Sequence, residues 1–228
     1  MPDLAQNYRR LQNALSACAV QSGHEVRLLA VSKTQTPEQI RLCADLGQKV
    51  FGENYVQEAL EKITVLRQLA LEWHLIGPLQ SNKCPAAAAH FDWVQTVDRE
   101  KIIKALDQYR PETLPPLNVL IQVNIDAEPG KSGCTPADIK TLALHVAACR
   151  NLRLRGLMAI PDPATSANGM AFSRMQQLFA RLRENHPGAD TLSMGMSDDF
   201  PAAIAHGANL VRVGSALFGQ RPSKQITP

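Results

Sequence analysis

Short runs of Val, Ile and Leu alternate along this chain with longer stretches whose apolar residues recur at helical spacing. A short continuous apolar run suits a strand buried on both faces, and the longer period suits a helix covering a sheet. The repeat is therefore that of a parallel sheet wrapped in helices. The runs predict strands at Leu28–Ser32, Lys49–Gly52, Trp73–Gly77, Trp93–Val97, Asn118–Asn124, Arg155–Ala159, Thr191–Met194 and Leu210–Val213, each but the last followed by a helix. Eight βα units in 228 residues predict a single-domain α/β fold, the (β/α)8 TIM barrel, with an open doubly wound sheet as the alternative.

Local signals sharpen the helices. In "TQTPEQI", Thr36 can cap, Pro37 suits the first helical position and Gln39 completes a capping box; "GCTPADI" repeats the device with Thr135, Pro136 and Asp138. Ahead of the first strand, Leu4, Tyr8, Leu11, Leu15 and Cys18 share one face of an extra amino-terminal helix, which is expected to pack across the barrel or close its base. The tail "QRPSKQITP" is expected to fray.

Composition narrows the partners. No apolar run approaches the roughly 18 residues of a membrane span, and "MPDLAQNYRRLQNALSACAV" lacks the form of a secretory signal. Cys18, Cys43, Cys84, Cys134 and Cys149 are scattered without CxxC spacing, which suits reduced thiols in the cytoplasm. The histidines show no metal-ligand spacing and no GxxxxGK[ST] loop is present, so neither metal nor nucleoside triphosphate chemistry is expected. The basic residues are interleaved with acids at a net charge of only +3, which argues against nucleic acid.

In a barrel of this kind, chemistry gathers at the carboxyl ends of the strands and in the loops that follow, with a phosphate site after strands seven and eight. Those positions hold Lys33 in "LLAVSKT", Asn54 in "GENY", His74 in "WHLIG", Ser197 in "SMGMSDD", and Arg212, Gly214 and Ser215 in "RVGSALFG". Ser197 precedes a helix and can offer its hydroxyl to an anion or simply cap that helix. Gly214 lets a backbone approach closely, or with Ser215 forms a turn. Lys33 is a surface charge or an amine that captures a carbonyl. His74 is a core histidine or a ligand contact, and Arg212 is paired inside the barrel or faces outward under a helix. A lysine facing a phosphate cup suits a phosphorylated carbonyl compound held as a Schiff base, and pyridoxal 5′-phosphate fits that description.

The segments "LLAVSKT", "FGENYVQEALEK", "WHLIGPLQSNK", "VLIQVNIDAEPGKSG", "LRGLMAIP" and "LSMGMSDDFPAAIAHGANLVRVGSALFG" run in order through nearly the whole chain. Together they resemble the pyridoxal phosphate homeostasis family of the YggS/PROSC type. The resemblance implies a barrel similar to the amino-terminal domain of alanine racemase, with pyridoxal 5′-phosphate as an aldimine on Lys33. It further implies phosphate contacts from Ser197, Gly214 and Ser215, Arg212 at the pyridine nitrogen, and Asn54, His74 and Met196 lining the cofactor. The implied role is to buffer pyridoxal phosphate or deliver it to dependent apoenzymes, as a monomer without catalytic activity of its own.

An arginine cannot give up its proton, so a pyridine nitrogen beside it stays unprotonated and the ring is a weaker electron sink. Racemisation also needs a base on each face. In alanine racemase a carboxyl-terminal domain supplies a tyrosine, whereas no such domain is expected here and only Tyr55 falls near the mouth. An amino-acid racemase or decarboxylase, and a cofactor-free Schiff-base aldolase, remain the alternative readings. Lys131 in "EPGKSG" is a solvated loop lysine or an auxiliary amine.

Overall fold

A computed structural model describes residues 3–219; the tail expected to fray lies outside them. The elements, in chain order, are α1 Leu4–Ser22, β1 Arg27–Val31, α2 Pro37–Asp45, β2 Val50–Glu53, α3 Val56–Leu66, β3 Glu72–Leu75, α4 Cys84–His90, β4 Trp93–Val97 and α5 Glu100–Tyr109. They continue with β5 Leu117–Val123, α6 Ile139–Ala147, β6 Leu152–Ala159, α7 Pro163–Ala167, α8 Met170–Asn185, β7 Thr191–Ser193, α9 Phe200–Ala205, β8 Leu210–Val213 and α10 Ser215–Phe218. The eight strands close in sequence order, every neighbour parallel, with β8 returning to β1 through Leu29↔Arg212 and Ala30↔Val213. The barrel is thus the closed form and not the open sheet.

The strands fall where the apolar runs predict, with informative differences at their ends. β6 begins at Leu152, ahead of the predicted Arg155, because Arg153 and Arg155 sit on a strand whose carboxyl half alone is fully buried. β3 stops at Leu75, and Gly77 beyond it runs so close to the loop after β2 that a Cβ there would lie 2.1 Å from the Asn54 carbonyl oxygen. A short helix, α10, also follows the last strand, where none was predicted.

Both capping boxes form. The Thr36 hydroxyl accepts from the Gln39 N–H at 3.4 Å while the Gln39 side chain accepts from the Thr36 N–H, and Thr135 and Asp138 make the equivalent pair. In α1, Leu11 and Leu15 are buried and Leu4, Tyr8 and Cys18 pack beside them. This helix packs against α9, α10 and α2, completing the outer ring beside the short α10 instead of lying across the base.

Most of the apolar core lies between the sheet and its helices. Two smaller groups fill the barrel interior: Leu29, Val50, Ile76 and Leu210 with Val31, and separately Trp93, Leu120 and Met158. Strand alternation places His74, Gln95, Ser193 and Arg212 on the same inward face, and all four are buried. Among the described residues, no helix is long and apolar enough to cross a membrane, and no cluster of His, Cys, Asp and Glu could hold a metal ion.

Candidate functional site

Lys33 follows β1 by two residues and is half-buried. The backbone on either side of it is fixed by α3. Lys62, buried at 4% exposure, donates from Nζ to the Ser32 carbonyl at 2.8 Å, to Glu53 Oε1 at 2.8 Å and to Glu58 Oε1 at 2.6 Å. The Ser32 hydroxyl donates to the same Glu53 oxygen at 2.6 Å, and Glu58 accepts the Thr34 N–H at 2.6 Å. Thr34 stands at φ +66°, a left-handed conformation that a β-branched residue adopts only under constraint. The Lys33 backbone at the strand end is therefore held between Ser32, pinned by Lys62 and Glu53, and a strained Thr34, pinned by Glu58.

Two carboxylates share this one ammonium, and their environments drive them apart. Burial pushes the Glu53 carboxyl up, beyond what the bonds from Lys62 and Ser32 restore, and its second oxygen has no hydrogen-bond partner. Burial also acts against ionised Glu58, but the Lys62 and Thr34 bonds and the nearby Lys33 charge outweigh it and hold that carboxyl low. Sequence reasoning missed this cluster. Its visible trace was Glu58 and Lys62 at i and i+4, a spacing usually found on solvated helix faces.

Across the β1–β8 pairing lies the second half of the mouth. Ser215 donates its hydroxyl to Ser197 Oγ at 3.0 Å, and the Ala216 N–H reaches the same oxygen at 3.4 Å. Ser197 does not cap the helix that follows it. α9 starts at Phe200 with Asp199 as its N-cap residue, and Asp199 Oδ1 accepts the Met196 N–H at 2.6 Å, so the Ser197 hydroxyl is left to the mouth. Gly214 has φ −116°, open to any residue, and an added Cβ would make only ordinary contact with Val31 at 3.4 Å. Packing within the chain does not itself demand glycine there.

Arg212 lies inside the barrel, 3% exposed, and the outward alternative is set aside. Its Nη1 donates to Ser193 Oγ at 2.7 Å and its Nη2 to the Ala159 carbonyl at 2.8 Å, which leaves further N–H groups of the guanidinium for a ligand. Burial pulls its pKa down to about 10, against the opposing charge of Asp199, so the group remains a cation at neutral pH.

His74 is fully buried on β3, directly opposite Gly52 of β2 in the register, and its partners are protein groups: Gln95 at 2.7 Å and Glu72 at 2.6 Å. Of the remaining expected residues, Asn54 follows β2 half-buried and Met196 follows β7 at 38% exposure, both on mouth loops. Tyr55 is the N-cap residue of α3 and is 64% exposed. Lys131 is exposed and paired with Glu128.

The arrangement fits a ligand with an aldehyde, an anionic group and an acceptor ring nitrogen. Lys33 supplies an amine, Ser197, Ser215 and Ala216 supply donors, and Arg212 supplies an N–H that no protein base can remove. These features define a class: a closed parallel barrel with a lysine just past its first strand, beside an eighth strand that leads into a hydroxyl-lined cup.

Comparison with known proteins agrees with that class. Residues 2–222 match the alanine racemase N-terminal domain family. The chain belongs to that family, and within it to the pyridoxal phosphate homeostasis proteins. It is 49% identical to the pyridoxal phosphate homeostasis protein of Escherichia coli (strain K12), over 97% of this chain and 98% of that one. It is also 49% identical to the same-named protein of Pseudomonas aeruginosa, over 97% of each chain. Among solved structures, PipY of Synechococcus elongatus PCC7942 with PLP bound superposes at a TM-score of 0.82, with 34% identity over 95% of this chain and 100% of that one. Alanine racemase from Corynebacterium glutamicum, at 17% identity and a TM-score of 0.69, covers 98% of this chain with 62% of its own and shares the fold.

Proposed function

We propose that this protein binds pyridoxal 5′-phosphate at the carboxyl-end mouth of its barrel, holds it covalently on Lys33, and serves its homeostasis by buffering it or handing it to dependent apoenzymes. The observation that carries this reading is the adjacency of two strand ends. β1 delivers Lys33, and its hydrogen-bonded neighbour β8 delivers Gly214 and Ser215, whose hydroxyl meets Ser197. When bound, the cofactor supplies an aldehyde that condenses with an amine, and a phosphate that anchors it.

Each residue then has a task. Lys33 offers the amine from a turn whose backbone is fixed. Ser197 and Ser215 with the Ala216 N–H hold the phosphate, and Gly214 leaves room beside it. Arg212 donates to the ring nitrogen and keeps it unprotonated. Asn54 and Met196 flank the ring from their loops, and His74 acts from beneath, through Gln95. Support comes from the relatives that carry the homeostasis name and from PipY, solved with PLP bound. The scattered free thiols favour a cytoplasmic setting, and we take the working form to be a monomer.

Borohydride reduction of the protein mixed with pyridoxal phosphate, followed by peptide mass mapping, tests the assignment. A pyridoxyl group is expected on Lys33 and is lost in Lys33→Ala. A pyridoxyl group on another lysine instead, or no visible absorbance on mixing, overturns the reading.

A further inference from the structure

Arg212 is the upper end of a buried hydrogen-bond chain that crosses the barrel interior to its base. Arg212 Nη1 bonds Ser193 Oγ at 2.7 Å, Ser193 Oγ bonds Gln95 Oε1 at 2.7 Å, Gln95 Nε2 bonds His74 Nδ1 at 2.7 Å, and His74 Nε2 bonds Glu72 Oε1 at 2.6 Å. Glu72 is in turn paired with Arg27 at 2.8 Å, where 47% of the Arg27 side chain is exposed. The four groups between Arg212 and Arg27 lie on β7, β4 and β3, and all but Glu72 are buried.

The direction of every bond is forced by the two ends. A guanidinium can only donate, so Ser193 must accept from Arg212 and give its own proton to the Gln95 oxygen. The Gln95 amide then presents its NH2 to His74, whose Nδ1 must be the lone pair, leaving Nε2–H to donate to Glu72. An ionised carboxylate can only accept, so the far end demands the same order. Burial, against the pull of Glu72, keeps His74 neutral. Trp93 stacks on the ring with centroids 4.9 Å apart and planes 8° from parallel, and Arg155 covers Trp93 at 4.6 Å, which holds the imidazole in the line of the chain.

We propose that Ser193, Gln95, His74 and Glu72 form a one-way relay of positioning residues that orients Arg212 toward the ligand's ring nitrogen and lets the charge at the barrel base set how strongly Arg212 donates. This rests on the pyridoxal phosphate reading of the mouth. Each donor in such a chain polarises the next, so a negative charge at Glu72 makes Ser193 a better acceptor and Arg212 a weaker acid. Removing that charge strengthens the Arg212 bond to the ring nitrogen, withdraws electron density from the ring and makes the bound cofactor easier to deprotonate. Removing Arg27, which offsets Glu72, acts in the opposite sense.

The test is the midpoint of the pH titration of bound pyridoxal phosphate, read from its visible absorbance in otherwise intact protein. Glu72→Gln is expected to lower the midpoint by a few tenths of a pH unit and Arg27→Gln to raise it by less, both still giving a pyridoxyl-Lys33 peptide after reduction. Gln95→Met interrupts the relay, and in that background Glu72→Gln is expected to have no further effect. Ser193→Ala serves the same purpose if Gln95→Met does not fold. An apo-protein readout runs beside these: the imidazole nitrogen resonances of His74 should report the Nε2–H tautomer. Unchanged midpoints in Glu72→Gln and Arg27→Gln, shifts that simply add in the interrupted background, or the Nδ1–H tautomer overturn the relay while the mouth assignment stands. Absence of bound cofactor in the unaltered protein overturns the functional reading, and the relay's action on the ligand with it.

Discussion

Neighbouring strands β1 and β8 each bring a cation to the mouth, but the protein holds the two by different physics. Around Lys33 the support is ionic and local: Lys62 and its two carboxylates grip the backbone on either side of the turn. Beneath Arg212 the support is a line of neutral groups that spans the barrel before it meets a charge at Glu72. On the proposed reading, an amine that accepts and releases an aldehyde gains from a turn whose backbone is fixed. A guanidinium that must keep one orientation gains from directional bonds to the side chain itself.

The sharpest way to break the ionic half is Lys62→Met. Deleting one partner of a buried charge group leaves the other uncompensated, which removes about 3–5 kcal/mol. The expected loss is about 3 kcal/mol, at the lower end because burial already raises the Glu53 pKa and lets that carboxyl neutralise. Urea denaturation measures it. The double variant Lys62→Met/Glu53→Gln should recover part of the loss, and a single-variant loss under about 1 kcal/mol would show that the cluster only decorates the turn.

The two halves were unequally legible in the amino-acid sequence, for a physical reason. Barrel strands are buried on both faces, so β4 and β8 could be bounded to the residue from their apolar runs alone. Lys33, Ser197 and Ser215 could be put forward from the sequence because strand ends and their loops are where this fold places ligands. The supports were not. Burial of Lys62 depends on how α3 docks against β1 and β2, and that docking angle leaves no local trace. Gln95 and Ser193 were each visible as a polar residue within a buried strand, yet they are 98 positions apart and only barrel closure makes them partners. The amino-terminal helix was correctly placed in the chain and wrongly placed in space, because an apolar face does not say which neighbour it meets.

Acidity separates the halves by sign. The His74 pKa is lowered from 6.5, chiefly by burial, in surroundings that also hold Glu72, Arg27 and Asp92. The unfolded chain therefore binds the extra proton more readily, and the stability contributed by neutral His74 is full above pH 6.5 and lost as pH falls toward the folded value. Glu53 is raised from 4.5, so its contribution runs the other way, full below pH 4.5 and lost as pH rises toward its folded value. Urea midpoints taken from pH 4.5 to 7.5 should show His74→Gln removing the fall toward acid and Glu53→Gln removing the fall toward neutrality. Two variants with the same slope as the unaltered protein would mean that neither group titrates differently on folding.

The smallest effect expected tests whether the lysine turn is held under strain while the arginine end is relaxed. Thr34 at φ +66° is in a region that disfavours most L-residues by about 1–2 kcal/mol, whereas Gly214 at φ −116° is not. Asparagine enters that region readily without the unfolded-state entropy of glycine, and the Thr34 bond to Glu58 runs through the backbone N–H, which the substitution keeps. Thr34→Asn is therefore expected to stabilise the protein by about 0.5–1 kcal/mol, a fraction of the strain figure, seen as a higher urea midpoint at unchanged slope. Since the clamp persists, capture of pyridoxal phosphate on Lys33 should be preserved. An unchanged or lowered midpoint would mean that the turn is comfortable as it stands and that Lys62 and Glu58 secure it without opposing any strain.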